Sequence, residues 1–292
     1  MNKLKLCLLT SGIIAITILS CKKDNTEEPV LTDPVAEGST IIAGAKKCLL
    51  TKLTHDDGDY ETFEYDSKSR PVKENYFSKG AADGYQKITY NGNDITQEYY
   101  DKNNVKDDEI YTFKLGSNGY ISSATNVYTS LNGGFKYTDT ENSTLTYNTE
   151  GYLTKLVSTD VGTSNKPGYV STTETNSYTY TYSNGNLLSM EEVDGPNTYT
   201  SKYEYYTDKK NNLPSGGDDE ILNFLLGKLS TNLVKKITST YGSNSNSSTD
   251  NYTYTFNSDG LVSKQTEISV SKQTGFPDQT YTSNYLFDYN CK

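Results

Sequence analysis

The feature that most constrains this chain is a strict alternation of aromatic and small polar residues. Tyr178, Tyr180 and Tyr182 share one face, and Thr179 and Thr181 point the other way. Tyr252, Tyr254 and Phe256 repeat the pattern, as do Tyr111, Phe113 and Leu115. A period of two is the period of a strand, so aromatics on alternate positions mean a sheet with one buried face. The chain holds 27 Tyr and no Trp, with abundant Thr and Ser, all compatible with strands.

A longer period overlies this one. Tyr147-Asn-Thr-Glu-Gly151-Tyr-Leu153 matches Phe256-Asn-Ser-Asp-Gly260-Leu-Val262 and Leu115-Gly-Ser-Asn-Gly119-Tyr-Ile121. Tyr65-Asp-Ser-Lys-Ser69-Arg70-Pro71 follows the frame with Ser in the Gly slot, which leaves its hairpin geometry open. Each copy is an aromatic strand end, a polar turn whose Gly or Asn supplies a positive φ, and a fresh strand. The fold class expected is all-β: an antiparallel meander of roughly 14–16 strands closing into a soluble, barrel-like sheet. One copy is interrupted. Between Tyr203-Glu-Tyr205-Tyr206 and Asn232-Leu-Val-Lys-Lys-Ile237, the spacing of Ile221, Leu222, Leu225, Leu226 and Leu229 predicts one short inserted helix over 218–230. Its apolar stripe packs on the sheet or else contacts a partner.

Residues 1–20 read as a cleaved export signal. Lys3 and Lys5 precede an uncharged, mostly apolar run from Leu6 to Leu19, too short to span a bilayer comfortably. Ile18-Leu19-Ser20-Cys21 resembles a lipobox, which implies cleavage before Cys21 and acylation, as with palmitate, of that cysteine. Residues 21–43 read as a disordered tether, acidic through Asp24, Glu27, Glu28, Asp33 and Glu37 and without apolar periodicity. Residues 44–292 are the Tyr-rich repeat domain. Losing two lysines with the signal moves the net charge from −10 to −12. Such an acidic chain repels nucleic acid and anionic headgroups, so no nucleic-acid partner is expected. Cys7 leaves with the signal and Cys21 takes the lipid. Cys48 and Cys291 remain at the two ends of the domain, where an exported chain would bond them or carry two thiols.

The Tyr-Asp-x-x-Gly-Arg-Leu frame is similar to the YD repeats of RHS-type proteins. With the lipobox and the interrupted copy, residues 44–292 resemble a Bacteroidota lipoprotein family of unknown function with a porin-like fold. The resemblance implies a barrel of antiparallel strands and brings no activity and no catalytic residues. In that group an acidic segment after the lipidated cysteine implies display at the cell surface, outside the outer membrane, rather than on its periplasmic face.

A pore is not what the residues describe. A membrane strand presents Leu, Val, Ile and Phe outward, whereas here one face is Tyr and the other Thr, Ser, Lys and Glu. His55 is the single histidine and sits in a turn by composition, so no triad, no catalytic residue and no enzyme is expected. Acids cluster at Asp56/Asp57/Asp59, Asp107/Asp108/Glu109, Glu191/Glu192/Asp194 and Asp218/Asp219/Glu220, in turns or at the expected helix start. Paired carboxylates suit a glycosidase or a Ca²⁺ site, but none has EF-hand spacing. No phosphate-binding loop or zinc spacing occurs, so no cofactor and no metal are expected. Tyr is the one abundant residue with binding chemistry. The reading is a non-enzymatic surface lipoprotein, with extracellular glycan as the first ligand and an envelope assembly role as the alternative.

Overall fold

The computed structural model describes residues 41–43, 46–213, 222–242 and 246–292. They form seventeen antiparallel strands in one sheet. The first nine are β1 (Ile41–Ala43), β2 (Lys46–His55), β3 (Tyr60–Tyr65), β4 (Pro71–Ser78), β5 (Ala81–Asn91), β6 (Asp94–Asp101), β7 (Lys106–Leu115), β8 (Ile121–Asn132) and β9 (Phe135–Tyr147). The rest are β10 (Leu153–Ser164), β11 (Thr172–Ser183), β12 (Asn186–Asp194), β13 (Asn197–Lys210), β14 (Asn232–Tyr241), β15 (Asn246–Phe256), β16 (Val262–Lys272) and β17 (Gln279–Cys291). Each strand from β2 onward pairs with the next, and β17 pairs back with β2 through Cys291↔Cys48 to Tyr285↔His55. The result is a closed barrel of 16 strands, with β1 added at the start of β2. A disulfide joins Cys48 and Cys291 across that closing seam. The signal segment and the tether up to residue 40, Cys21 included, lie outside the described residues. The last three residues read as tether, Ile41–Ala43, are β1 itself.

The repeat frame builds one recurrent hairpin. Asn148 N–H bonds the carbonyl of Tyr152, Gly151 N–H bonds that of Asn148, and Asn148 Oδ1 accepts from Glu150 and Tyr152. Asn257 and Asp66 anchor identical turns. Ser69 takes the left-handed conformation that Gly supplies elsewhere, φ 63°, and Arg70 pairs with Asp66 at 2.7 Å. The first copy therefore forms the same turn as the others. Asp101-Lys-Asn-Asn104-Val105 forms it too, with Asn104 at φ 66°, a copy whose strand flanks hide it from the frame. A β-bulge at most of these turns, as between Thr255 and Phe256, absorbs the odd residue. Phe256 is nevertheless 41% exposed, so it is not part of the buried face that the alternation expects of it.

Tyrosines near the strand ends hold neighbouring strands together. Tyr65 donates its hydroxyl to the carbonyl of Leu50, Tyr90 to Pro71, Tyr147 to Ile121, Tyr254 to Val234 and Tyr289 to Val262, at 2.7–3.0 Å. A Phe would fill the same space, but only Tyr can bury its ring while satisfying a carbonyl at the strand end. Burial raises the pKa of these phenols, so each stays a donor at physiological pH.

The outward face is polar. Thr96, Thr112, Thr125, Asn142, Thr159 and Thr175 stand directly opposite one another across β6 to β11. Such a row does not match the apolar band of a barrel embedded in lipid. Among the described residues no helix is long and apolar enough to cross a membrane.

The expected helix over 218–230 is not formed in its described part. Residues 222–230 make a single 3-10 turn, Asn223–Leu225. Leu222, Phe224, Leu225, Leu226 and Leu229 are all buried, so the segment is apolar on every side instead of along one stripe. Gly227, at φ 110°, ends the turn. A Cβ there would meet the Tyr147 ring at 2.8 Å and the carbonyl of Gly151 at 2.9 Å. The segment forms a floor across one end of the barrel, fastened to the frame turns. Lys228 N–H bonds Gly151 and Thr231 N–H bonds Gly185, each at 2.8 Å. Asn212 donates to Gly260 at 2.6 Å. A barrel this wide cannot be filled by its wall side chains alone, and the floor fills this end.

Candidate functional site

Above the apolar floor the inner wall turns polar and acidic. Because direct cross-strand partners share a face, the register places Glu141, Asp160 and Glu174 side by side on β9, β10 and β11. Like charges directly opposite are unfavourable. Glu109 on β7 accepts from Tyr111 and Asn126 at 2.6 and 3.1 Å. Ser158 donates to Glu141. Glu192 on β12 accepts from Tyr178 at 2.9 Å. On the other side of the barrel Glu74 pairs with Gln86, which in turn bonds Gln97. The lysines of these strands go the other way. Lys87, Lys114, Lys155, Lys202 and Lys264 oppose Lys73, Ser123, Thr179, Ser189 and Leu286 on the outward face. The inner wall thus carries carboxylates without these lysines, whereas outward carboxylates such as Glu98 and Glu204 pair with Lys106 and Lys236.

Burial raises the pKa of Asp160, and Asp139 and Glu174 raise it further. Burial likewise raises Glu192 and Asp250. In the other direction, the Lys106 ammonium lowers Glu98, and the Val105 N–H lowers Asp101. A carboxyl with a raised folded pKa binds its proton more readily in the fold than in the unfolded chain. Stability then increases as pH falls through that folded value. A lowered pKa acts oppositely, and its contribution is lost as pH falls through the folded value. The melting temperature is therefore expected to rise as pH falls from neutrality toward the carboxylate range, and to fall again once the carboxyls with lowered pKa take up protons. A scan by circular dichroism in which stability declines steadily from pH 7 downward would contradict this.

The outward face carries a second feature at the end opposite the floor. Tyr60 and Phe77 stack at 4.5 Å and 11° across β3 and β4. Tyr85 and Tyr100 stack at 4.7 Å and 6° across β5 and β6. Asn75, two residues before Phe77 on its face, stands directly opposite Tyr85, so the two pairs run diagonally over four strands. All four rings are half-buried. Lys52 lies 3.9 Å over Tyr60 and Lys73 lies 4.3 Å over Tyr85. The Tyr85 hydroxyl bonds Asn104 and that of Tyr100 bonds Glu98. Each ring has one face on its stacked partner, and the lysines cover the other face of Tyr60 and Tyr85, which leaves the outer faces of Phe77 and Tyr100 as the aromatic surface of the platform.

The structure separates the clustered acids of the sequence. Glu191 faces out while Glu192 and Asp194 face in, and Asp56, Asp57 and Asp59 occupy a rim turn. Asp218, Asp219 and Glu220 lie outside the described residues. Among the described residues no group of three or more His, Cys, Asp or Glu could hold a metal ion. His55 is not the solvated turn residue expected. It ends β2 half-buried, with Nε2 2.8 Å from Glu61 and its ring edge-on to Tyr285. The acid row and the outer ring pairs escape sequence reasoning because their members lie on different strands, brought together by register alone.

The fold and its floor define a class, a closed antiparallel barrel of porin-like form. No protein-family model matches the chain, and no curated protein matches it. Among solved structures it is similar to a porin-like protein from Bacteroides uniformis ATCC 8492. The TM-score is 0.53 at 16% identity, covering 86% of this chain and 95% of that one. A porin-like protein from Bacteroides vulgatus ATCC 8482 gives a TM-score of 0.53 and 16% identity, covering 82% of this chain and 98% of that one.

Proposed function

We propose that the protein is a non-enzymatic, cell-surface binding barrel that holds extracellular glycan on the outer platform of Tyr60, Phe77, Tyr85 and Tyr100. In this reading Cys21 carries the lipid that anchors the barrel to the outer membrane. The single observation that carries it is the pair of parallel-stacked aromatic couples on an otherwise Thr-rich outer face. Inward-facing tyrosines are explained by packing and by their carbonyl bonds; these four rings face away from the core. The polar outer face supports a barrel held outside the lipid by an anchor rather than one embedded in it. The assembly alternative relied on an exposed apolar face at 218–230, and the described apolar side chains of that segment are buried in the floor.

The test is affinity electrophoresis of the domain through a panel of polysaccharides. Retardation by one polymer is expected, and Tyr85→Ala should weaken it about tenfold, the scale of losing one aromatic contact. Tyr180→Phe, an interior change, should leave it intact. Retardation by no polymer, or retardation unaffected by Tyr85→Ala and Tyr100→Ala, would remove the platform from the function.

A further inference from the structure

Register sets the outer platform within three transverse rows of outward side chains. The middle row runs Lys52, Thr62, Asn75, Tyr85, Tyr100 and Lys106 across β2 to β7, each directly opposite the next. On its rim side stand Tyr60 and Phe77, and on its floor side Glu64, Lys73, Lys87 and Glu98. These rows hold Lys52, Lys73, Lys87 and Lys106 against only two carboxylates, Glu64 and Glu98. Both carboxylates are taken: Lys106 pairs with Glu98, and Lys73 lies 3.7 Å from Glu64. Lys52 and Lys87 have no ion pair or hydrogen bond among the described residues. Lys52 rests on the Tyr60 ring, and Lys87 acts on Glu98 only at longer range. Lys87 also stands directly opposite Lys73, and like charges so placed are unfavourable on a bare sheet. In the rim turns beyond, Asp59 and Asp101 accept the backbone N–H groups of Lys79, Asn103 and Val105. The net charge of −10 belongs to the chain as a whole, and these rows have the opposite sign.

Building on the glycan reading of the platform, we propose that it selects an acidic polysaccharide, whose carboxylate or sulfate groups pair with Lys87 and Lys52. An ammonium group is a compact charge with three donors and no acceptor, so an anion suits it better than a neutral hydroxyl. Lys87 gains most, because an anion there also relieves its repulsion with Lys73. Lys52 stands three strand spacings from Lys87, about 14 Å between backbones. A single sugar does not bridge that span, and a short run of linked sugars does. Thr62 and Asn75, between them in the middle row, have short side chains and leave room for a polymer lying across the strands. The outer faces of Phe77 and Tyr100 meet the apolar side of its rings. Nucleic acid fits less well, because its closely spaced phosphates would also lie against Glu64 and Glu98.

The test is affinity electrophoresis of the full chain through gels holding polygalacturonate, dextran sulfate or neutral dextran. Retardation by a charged polymer and not by dextran is expected, and it should weaken as NaCl rises from about 0.05 M to about 0.5 M. Which charged polymer retards the chain tells whether the anion is a carboxylate or a sulfate. Lys87→Gln should weaken retardation about fivefold, with a melting temperature unchanged or raised, and Lys52→Gln should weaken it severalfold. Lys202→Gln, on the outward face of β13 opposite Thr238, should leave it unchanged. An equal loss in Lys202→Gln would reveal unspecific attraction and overturn the proposal. Retardation by dextran that Tyr85→Ala weakens and Lys87→Gln does not would overturn the charge selection alone, leaving a site for neutral glycan. Retardation by none of the three, nor by any other polysaccharide, would overturn the glycan reading together with it. Retardation by immobilised oligothymidylate and by no polysaccharide would overturn it too, making this a nucleic-acid surface.

Discussion

Replacing Cys48 and Cys291 together by serine is expected to lower the unfolding free energy by up to about 5 kcal/mol. The bond ties residues 243 apart in sequence, so it removes most of the loop-closure freedom of the unfolded chain. The folded barrel loses little directly, because β2 and β17 still pair and Lys47 and Lys292 still exchange backbone bonds of 3.1 and 2.9 Å. The seam is then held by its backbone ladder alone, and its opening exposes two strand edges on which chains can associate. Urea unfolding with and without a reductant reads the effect. An unchanged midpoint would mean that closure of the sheet alone holds the seam.

Leu225→Ala is expected to cost about 2–5 kcal/mol, although it touches neither a strand nor a regular helix. Leu225 is 2% exposed and lies at the centre of the floor. The floor cannot collapse onto a smaller side chain, because its flanks are bonded to the frame turns at Gly151, Gly185 and Gly260. A cavity is left. In a domain of this size such a loss moves the melting temperature by roughly ten degrees. Leu131→Ala, at a position 78% exposed, should change it by less than the error and serves as the control. Equal melting of the two variants would show that the floor is a passive cap that does not contribute to stability.

The floor also marks the boundary of what sequence periodicity can resolve. Leu222, Leu225, Leu226 and Leu229 have helical spacing, and that spacing predicts a helix. Phe224 and Gly227, which lie among them, carry the contrary information, but only the location of the segment gives it meaning. Inside a barrel every direction is core, so no polar face is needed and the chain follows the shape of the space. The seam is similar: two cysteines at the ends of a repeat domain permit a bond, and only a sheet that returns to its first strand brings them together.

What the sequence alone determined was local. The alternation of Tyr with Thr sets a strand with one buried face, because side chains on a strand alternate. The Asn-x-x-Gly frames set the turns, because few residues tolerate a left-handed backbone. Register was decided by the tertiary structure, and register places groups from distant strands side by side. Glu141, Asp160 and Glu174 became one row, and Tyr60, Phe77, Tyr85 and Tyr100 one platform. Each strand encodes which of its residues face inward. Which residues face each other is a property of the closed sheet, because closure fixes every strand against two neighbours at once.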